Sequence, residues 1–257
     1  MSTSGPVVFV HAHPDDEAIF TGGTMVRLAE AGVPVVLVVA TGGELGEVPG
    51  DLGGGVLAEV RHAESRRAAE LLGVERVEMF GHLDSGMAGD PRNAAPGSFW
   101  SQPVGEIAGR LAVLLSEVEA SCVVGYDEFG VYGHPDHIQV TRMVSAAADE
   151  AGLATVYGST VDREHLHFVE THLVEEAALA GDLGLVRSRI GVPSVEVAAA
   201  VDVRRVLDRK RAAMAAHASQ IPESASVLQL PMEHFADVYG WEWYVRQGPP
   251  GPIDRLV

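Results

Sequence analysis

The sequence predicts an α/β fold, a three-layer sandwich around a mostly parallel sheet, and three observations predict it. Short runs rich in β-branched residues alternate with longer runs of helical spacing. The runs PVVFVHA (6–12) and VPVVLVVAT (33–41) are apolar almost throughout, as strands covered on both faces tend to be. Strand–helix alternation over most of the length implies a doubly wound sheet, because parallel neighbours need a helical crossover.

The elements follow in order. After the first strand, EAIFTGGTMVRLAEAG (17–32) has helical spacing and stops at Gly32. The second strand ends in a stretch, 42–56, with too much glycine for regular structure. A helix over about 57–72 leads to a strand at 76–81, and a polar loop then leads to a helix over 104–118. The strand SCVVGYD (121–127) empties into a second polar loop and a helix that runs to about Glu150. ATVYGST (154–160) reads as a strand, 163–191 as mostly helical, 195–203 as strand-like, and 204–218 as a basic amphipathic helix. The aromatic tail YGWEWY (239–244) reads as an interface or a core plug. No internal repeat and no linker divides the chain, so a single domain over 1–257 is expected.

Composition narrows the function. Hydrophobic residues make up 47% of the 257 and charged ones 21%, as in a globular protein. The net charge of -18, from 18 Lys+Arg against 36 Asp+Glu, repels phosphate backbones and anionic membranes, which argues against a nucleic-acid partner. The single cysteine, Cys122, lies in the apolar run CVVGY and reads as a buried strand thiol; with no disulfide available, a reducing cytoplasm is the expected location. No stretch resembles a signal peptide or is long enough for a membrane span.

Two loops carry the chemistry. VFVHAHPDDE leaves a strand and within a few positions presents His11, His13, Asp15, Asp16 and Glu17; GVYGHPDH presents His134, Asp136 and His137 at another strand end. In an open α/β sheet, groups at the carboxyl ends of strands converge, so distant segments can form one site. A catalytic zinc takes three nitrogen or oxygen ligands and keeps one position open. His13 and Asp16 can meet on one ion across the proline turn, with His137 as the third ligand. Asp15, beside them, can then take a proton from the attacking water, which explains two consecutive carboxylates: a ligand and a base must be different groups. The competing reading is that Asp15 or Asp16 only caps the following helix. Two His-Pro-Asp loops at two strand ends of one chain weigh against it.

These residues resemble the LmbE/PIG-L family of zinc-dependent N-deacetylases, which includes the GlcNAc-inositol deacetylase and the S-conjugate amidase of mycothiol metabolism. AHPDDE and GHPDH carry the resemblance. TGGE (41–44), RHAESRRAAELLGV (61–74), LDSGM (83–87) and KRAAMAAHASQI (210–221) extend it in the same order. The resemblance implies a Rossmann-like fold with its metal site at the C-terminal strand ends, and His13, Asp16 and His137 as ligands of Zn2+, or of Fe2+. It implies Asp15 as general base, His134 as general acid or oxyanion donor with Asp136 holding its ring, and Tyr132 polarising the substrate carbonyl. Arg61 and Asp84 match positions that contact the sugar or inositol. The implied activity is removal of an N-acetyl or other N-acyl group from a GlcNAc-type conjugate, a small amidosugar. Alternatives are an amidase for a mycothiol S-conjugate or an acylated natural product, and a non-catalytic sugar-binding protein that retains the metal. A homo-oligomer is compatible with the sequence.

Three further readings complete the analysis. Glu44 and Glu47 either touch substrate or are solvated, and His217 lies either near the site or in a structural role at a helix end. His165, His167 and His172 read as an exposed helical face. A non-haem iron triad ranks low, because the spacing here is His-x-x-Asp rather than His-x-Asp, and no glycine-rich phosphate loop supports a nucleotide site.

Overall fold

The computed structural model describes residues 5–47, 54–172 and 190–257. Seven strands form one sheet: β1 (Val7–His11), β2 (Val35–Thr41), β3 (Arg76–His82), β4 (Cys122–Tyr126), β5 (Val156–Thr160), β6 (Ala199–Asp202) and β7 (Trp241–Gln247). Their order is β3-β2-β1-β4-β5-β7-β6. The first five are mutually parallel, and β7 runs antiparallel between β5 and β6. The predicted α/β sandwich with a mostly parallel sheet is the observed architecture.

The helices are α1 (Gly22–Glu30), α2 (Gly54–Leu72), α3 (Val104–Glu117), the one-turn α4 (Gly130–Gly133), α5 (Pro135–Ala151), α6 (Arg163–His172), α7 (Leu207–Ala216) and α8 (Met232–Tyr239). The period-two alternation of the strands divides the core into two layers. Val7 and Phe9 of β1 pack with Met25, Leu28, Ala68, Leu72 and Met214 from α1, α2 and α7. Val8 and Val10 pack on the opposite face with Leu111, Leu115, Val140 and Val144 from α3 and α5. Every residue of β1, β2 and β4 is buried, which is why those strands read as uninterrupted apolar runs.

Three readings differ from expectation, and a fourth is described only in part. The predicted helix over 17–32 divides into a π-helical turn, Glu17–Thr21, and α1, and such turns cluster at functional sites. Helix α2 begins at Gly54 inside the glycine-rich stretch, since glycine weakens a helix without forbidding it. YGWEWY packs into the core, Tyr244 fully buried, but it does so as part of a strand: Trp241–Gln247 is β7. Its alternation was disguised by Glu242, a charged residue on a buried position, satisfied by Lys210 at 2.5 Å and by the Gly23 and Thr24 amides of α1. The helical expectation for 163–191 holds through His172, and 173–189 lie outside the described residues.

β1 has β2 on one side and β4 on the other, so the crossovers leave β1 and β4 in opposite directions. That divergence opens a crevice above the two strand ends, the position where ligands bind in such sheets. Both His-Pro-Asp loops issue there.

Candidate metal centre and active site

The first loop turns sharply after β1. Asp15 has φ 103°, a left-handed conformation uncommon for a residue with a side chain and costing about 1–3 kcal/mol. The bend lets the Asp16 carboxylate fold back: its Oδ2 accepts hydrogen bonds from the His13 amide at 2.9 Å and the Tyr126 hydroxyl at 2.8 Å. Asp16 occupies the N-cap position of the π-turn yet makes no capping bond with its side chain, which removes the bland alternative for that residue. The second loop is shaped by Gly130, whose φ is +63° and where a Cβ would lie 2.7 Å from the Cβ of His137. His134 caps α5 through its ring: Nδ1 accepts from the Asp136 amide at 3.2 Å, with Pro135 in the first helical turn.

The two loops meet. Asp16 Oδ2 lies 3.3 Å from His13 Nδ1 and 3.3 Å from His137 Nε2. Ligands about 2.1 Å from a tetrahedral ion are separated by about 3.4 Å, so each histidine stands from the Asp16 carboxylate at the separation of two ligands on one ion. All three residues are buried. The His13 ring uses its other nitrogen too, Nε2 standing 3.3 Å from Asp136 Oδ2 and 3.8 Å from Asp84 Oδ1. Nitrogen and carboxylate donors of this kind suit Zn2+ or Fe2+. The donor atoms of His13, His134 and His137 also lie within 4.8 Å of one another, which places His134 at the same centre.

Asp136 departs from expectation. Its carboxylate meets His13 and the Ser85 amide, at 3.0 Å, while its contact with His134 runs through its backbone N–H. A carboxylate behind a ligating histidine fixes the ring and raises its basicity, so Asp136 orients a candidate ligand. His134 accordingly is not raised. Burial drives its pKa down to about 3, and the rings of His13 and His137 add to the effect. Burial lowers His13 as well, but the bonds to Asp136 and Asp16 outweigh it and hold its pKa well above the usual value. Asp15 is pushed up by burial to about 7, with Arg61 pulling down and Asp16 pushing up.

The site opens into a cavity of about 460 Å³ lined by His13, Asp15, Asp16, Arg61, Asp84, Tyr132 and His134, all of them residues singled out from the sequence. Leu45, Gly46, Gly86, Met87, Asp90, Arg92 and Gln220 complete the wall. Arg61 is buried, its Nη2 3.2 Å from Asp15 Oδ2 and its guanidinium donating to the carbonyls of Gly43 and Pro14 at 2.5 Å each. Gly43, φ +61°, is where that approach is made; a Cβ there would lie 2.5 Å from Arg61 Nη1. Glu44 positions rather than solvates, accepting from the Asp84 amide at 2.9 Å. His165 is half-buried and bonds the Asp237 carbonyl at 3.1 Å, unlike the exposed face expected, whereas His167 is exposed. The His172 side chain lies outside the described residues.

Sequence reasoning missed Tyr126. Its hydroxyl receives the Ala12 amide, contacts His11 Nδ1 at 3.0 Å and donates to Asp16, and its ring stacks on His137 at 4.2 Å and 7°. A polar aromatic at the last position of a strand that feeds a ligand loop was the available signal. His217 is drawn to the site as well, 2.6 Å from Glu17 with both side chains buried.

Comparison with known proteins identifies the family. Residues 8–148 match the PIG-L family, GlcNAc-PI de-N-acetylase. The chain is 38% identical over 287 residues to a 1D-myo-inositol 2-acetamido-2-deoxy-alpha-D-glucopyranoside deacetylase of Geodermatophilus obscurus, with 99% of this chain and 96% of that protein covered. A protein of the same description from Thermobifida fusca is 34% identical, with 95% and 96% covered. Among solved structures, N,N'-diacetylchitobiose deacetylase from Pyrococcus horikoshii superposes with a TM-score of 0.63 at 23% identity, over 98% of this chain and 89% of that one. The 4-carboxy-2-hydroxymuconate hydratase GalB of Pseudomonas putida gives 0.63 at 18%, over 96% and 98%, so the fold by itself does not decide the chemistry. With the family match over more than half its length and the full-length relatives, the chain belongs to the PIG-L family of de-N-acetylases.

Proposed function

We propose that the chain hydrolyses the N-acetyl group of a GlcNAc–inositol conjugate, the substrate class its relatives are named for. The observation that carries the reading is the Asp16 carboxylate set 3.3 Å from the rings of both His13 and His137, with Asp15 beside it on the cavity wall. His13, Asp16 and His137 hold the ion, Zn2+ or Fe2+. Such an ion, when bound, would polarise the acetyl carbonyl and lower the pKa of water towards about 7.

The protein's own groups do the rest. Asp15 accepts the proton of the attacking water, and a carboxyl raised to about 7 by burial is poised for that exchange. The Asp136 amide can only donate, so His134 Nδ1 is the acceptor and the ring proton sits on Nε2. His134 thereby serves as a neutral donor to the developing oxyanion, beside the Tyr132 hydroxyl. The proton that the leaving amine needs then comes from Asp15, which already carries it. Arg61 and Asp84 grip hydroxyls of the sugar or inositol. A cavity of about 460 Å³ is in the range of small-molecule sites, and its polar wall suits a polyol.

The test is elemental analysis of protein purified without chelator, together with acetate release from the GlcNAc–inositol glycoside. The expected result is about one zinc or iron per chain with acetate released. Protein that takes up no metal after zinc or iron is supplied would overturn the reading.

A further inference from the structure

The mechanism leaves unused a buried charged pair at the foot of the first loop. Glu17, the last residue of HPDDE, and His217, on the turn that ends α7, are both fully buried, and Nε2 of the histidine lies 2.6 Å from Glu17 Oε1. The other carboxylate oxygen, Oε2, accepts the backbone N–H of Asp15 at 3.0 Å. Asp15 is the residue whose φ of 103° bends the loop, and its carbonyl is tied by the amides of Ala18 and Ile19 at 3.0 and 3.1 Å. A backbone strained in this way persists only where its surroundings over-determine it. Glu17 supplies the constraint on the amide side, and His217 fixes Glu17.

We propose that Glu17 and His217 form a positioning pair that holds Asp15 in its left-handed conformation, so that its carboxylate stands over the reacting carbonyl while Asp16 turns inward to the ion. The inference rests on the reading of Asp15 as the base. It explains why a third acid follows the two that do chemistry: a buried carboxylate can accept the Asp15 amide with one oxygen only if a partner neutralises the other. It also gives α7 a task. Lys210 and His217 are seven residues apart, two helical turns, and both reach inward, Lys210 to Glu242 behind α1 and His217 to the base of the metal loop. Neither Glu17 nor His217 lines the cavity, so the pair acts through Asp15 and not on substrate.

The experiment compares wild type with Glu17→Gln, His217→Gln and the double variant, each loaded with zinc and assayed for acetate release from the GlcNAc–inositol glycoside. Metal content, kcat, KM and a crystal structure are read for each. The singles are expected to keep about one zinc per chain and a KM within about twofold of wild type, while kcat falls at least about tenfold. Asp15 leaves the positive-φ region in their structures. The double variant, in which two amides can rebuild the contact without charge, recovers part of kcat. A pair that serves only stability would lower the melting temperature and leave kcat per zinc-loaded chain unchanged, which overturns the proposal. Loss of zinc in parallel with kcat overturns it too, by assigning the pair to the ion. Wild type that releases no acetate refutes the substrate reading alone. The φ of Asp15 in Glu17→Gln still decides the inference, because a value that stays near 103° refutes it.

Discussion

At the scale of single residues, the candidate site separates ligand from base, and substitution can separate them in turn. Asp15→Asn is expected to keep the ion and lose about 10²- to 10⁴-fold in kcat, measured as acetate release per bound metal. Asparagine tolerates positive φ, so the loop survives the change. His13→Ala, by contrast, loses metal and turnover together. Tyr126→Phe removes the 2.8 Å bond to Asp16 and the acceptor for the Ala12 amide; a loss of about 10- to 100-fold in metal affinity is expected in competition with a chelator. The ligand candidates were legible because His, Asp and Pro at two strand ends have few structural uses. Tyr126 was less so, since its place at the end of CVVGY hints at the site but does not tell that its hydroxyl faces a loop on the neighbouring strand. The carboxylate of Asp136 was assigned to the wrong histidine for the same reason. Sequence proximity favoured His134, two positions away, whereas the helix that begins at Pro135 turns the side chain toward His13.

At the scale of elements, the strand ends place the chemistry and the turns aim it. Gly130→Ala sets a Cβ 2.7 Å from that of His137 on a backbone with φ +63°. The expected outcome is a loss of about 1–3 kcal/mol in denaturant unfolding together with weaker metal binding. Lys210→Met strands the Glu242 carboxylate behind α1 with two amides and the Tyr244 hydroxyl, but no cation, for partners. Breaking a buried pair costs about 3–5 kcal/mol, to be read as a fall in the urea midpoint, and an unchanged midpoint would count against this role. The apolar strands β1, β2 and β4 and the amphipathic helices between them were plain in the sequence, because burial on both faces leaves no polar alternation to confuse. β7 was not, because its buried glutamate is paid for by a lysine from another element. The π-turn at Glu17–Thr21 was equally hidden, since the spacing over 17–32 reads as one unbroken helix.

At the scale of the whole molecule, none of the described helices is long and apolar enough to cross a membrane, and the net charge of -18 favours neutral or cationic partners. Metal binding through the proposed ligands would be coupled to the folded state, because His13, Asp16 and His137 converge only there. Zinc at about 100 times its Kd is therefore expected to add about 2.7 kcal/mol of stability, seen as a melting temperature that rises with zinc in wild type and stays flat in His13→Ala. The crevice between β1 and β4 has one more consequence, which concerns synthesis. His13 and Asp16 leave the ribosome early, but His137 follows only after β2, β3 and their helices, and it reaches them only when β4 docks against β1. With the proposed ligand set, the nascent chain cannot close three ligands around an ion until its central strands are paired, and metal acquisition would report that the middle of the sheet has been assembled in the right order.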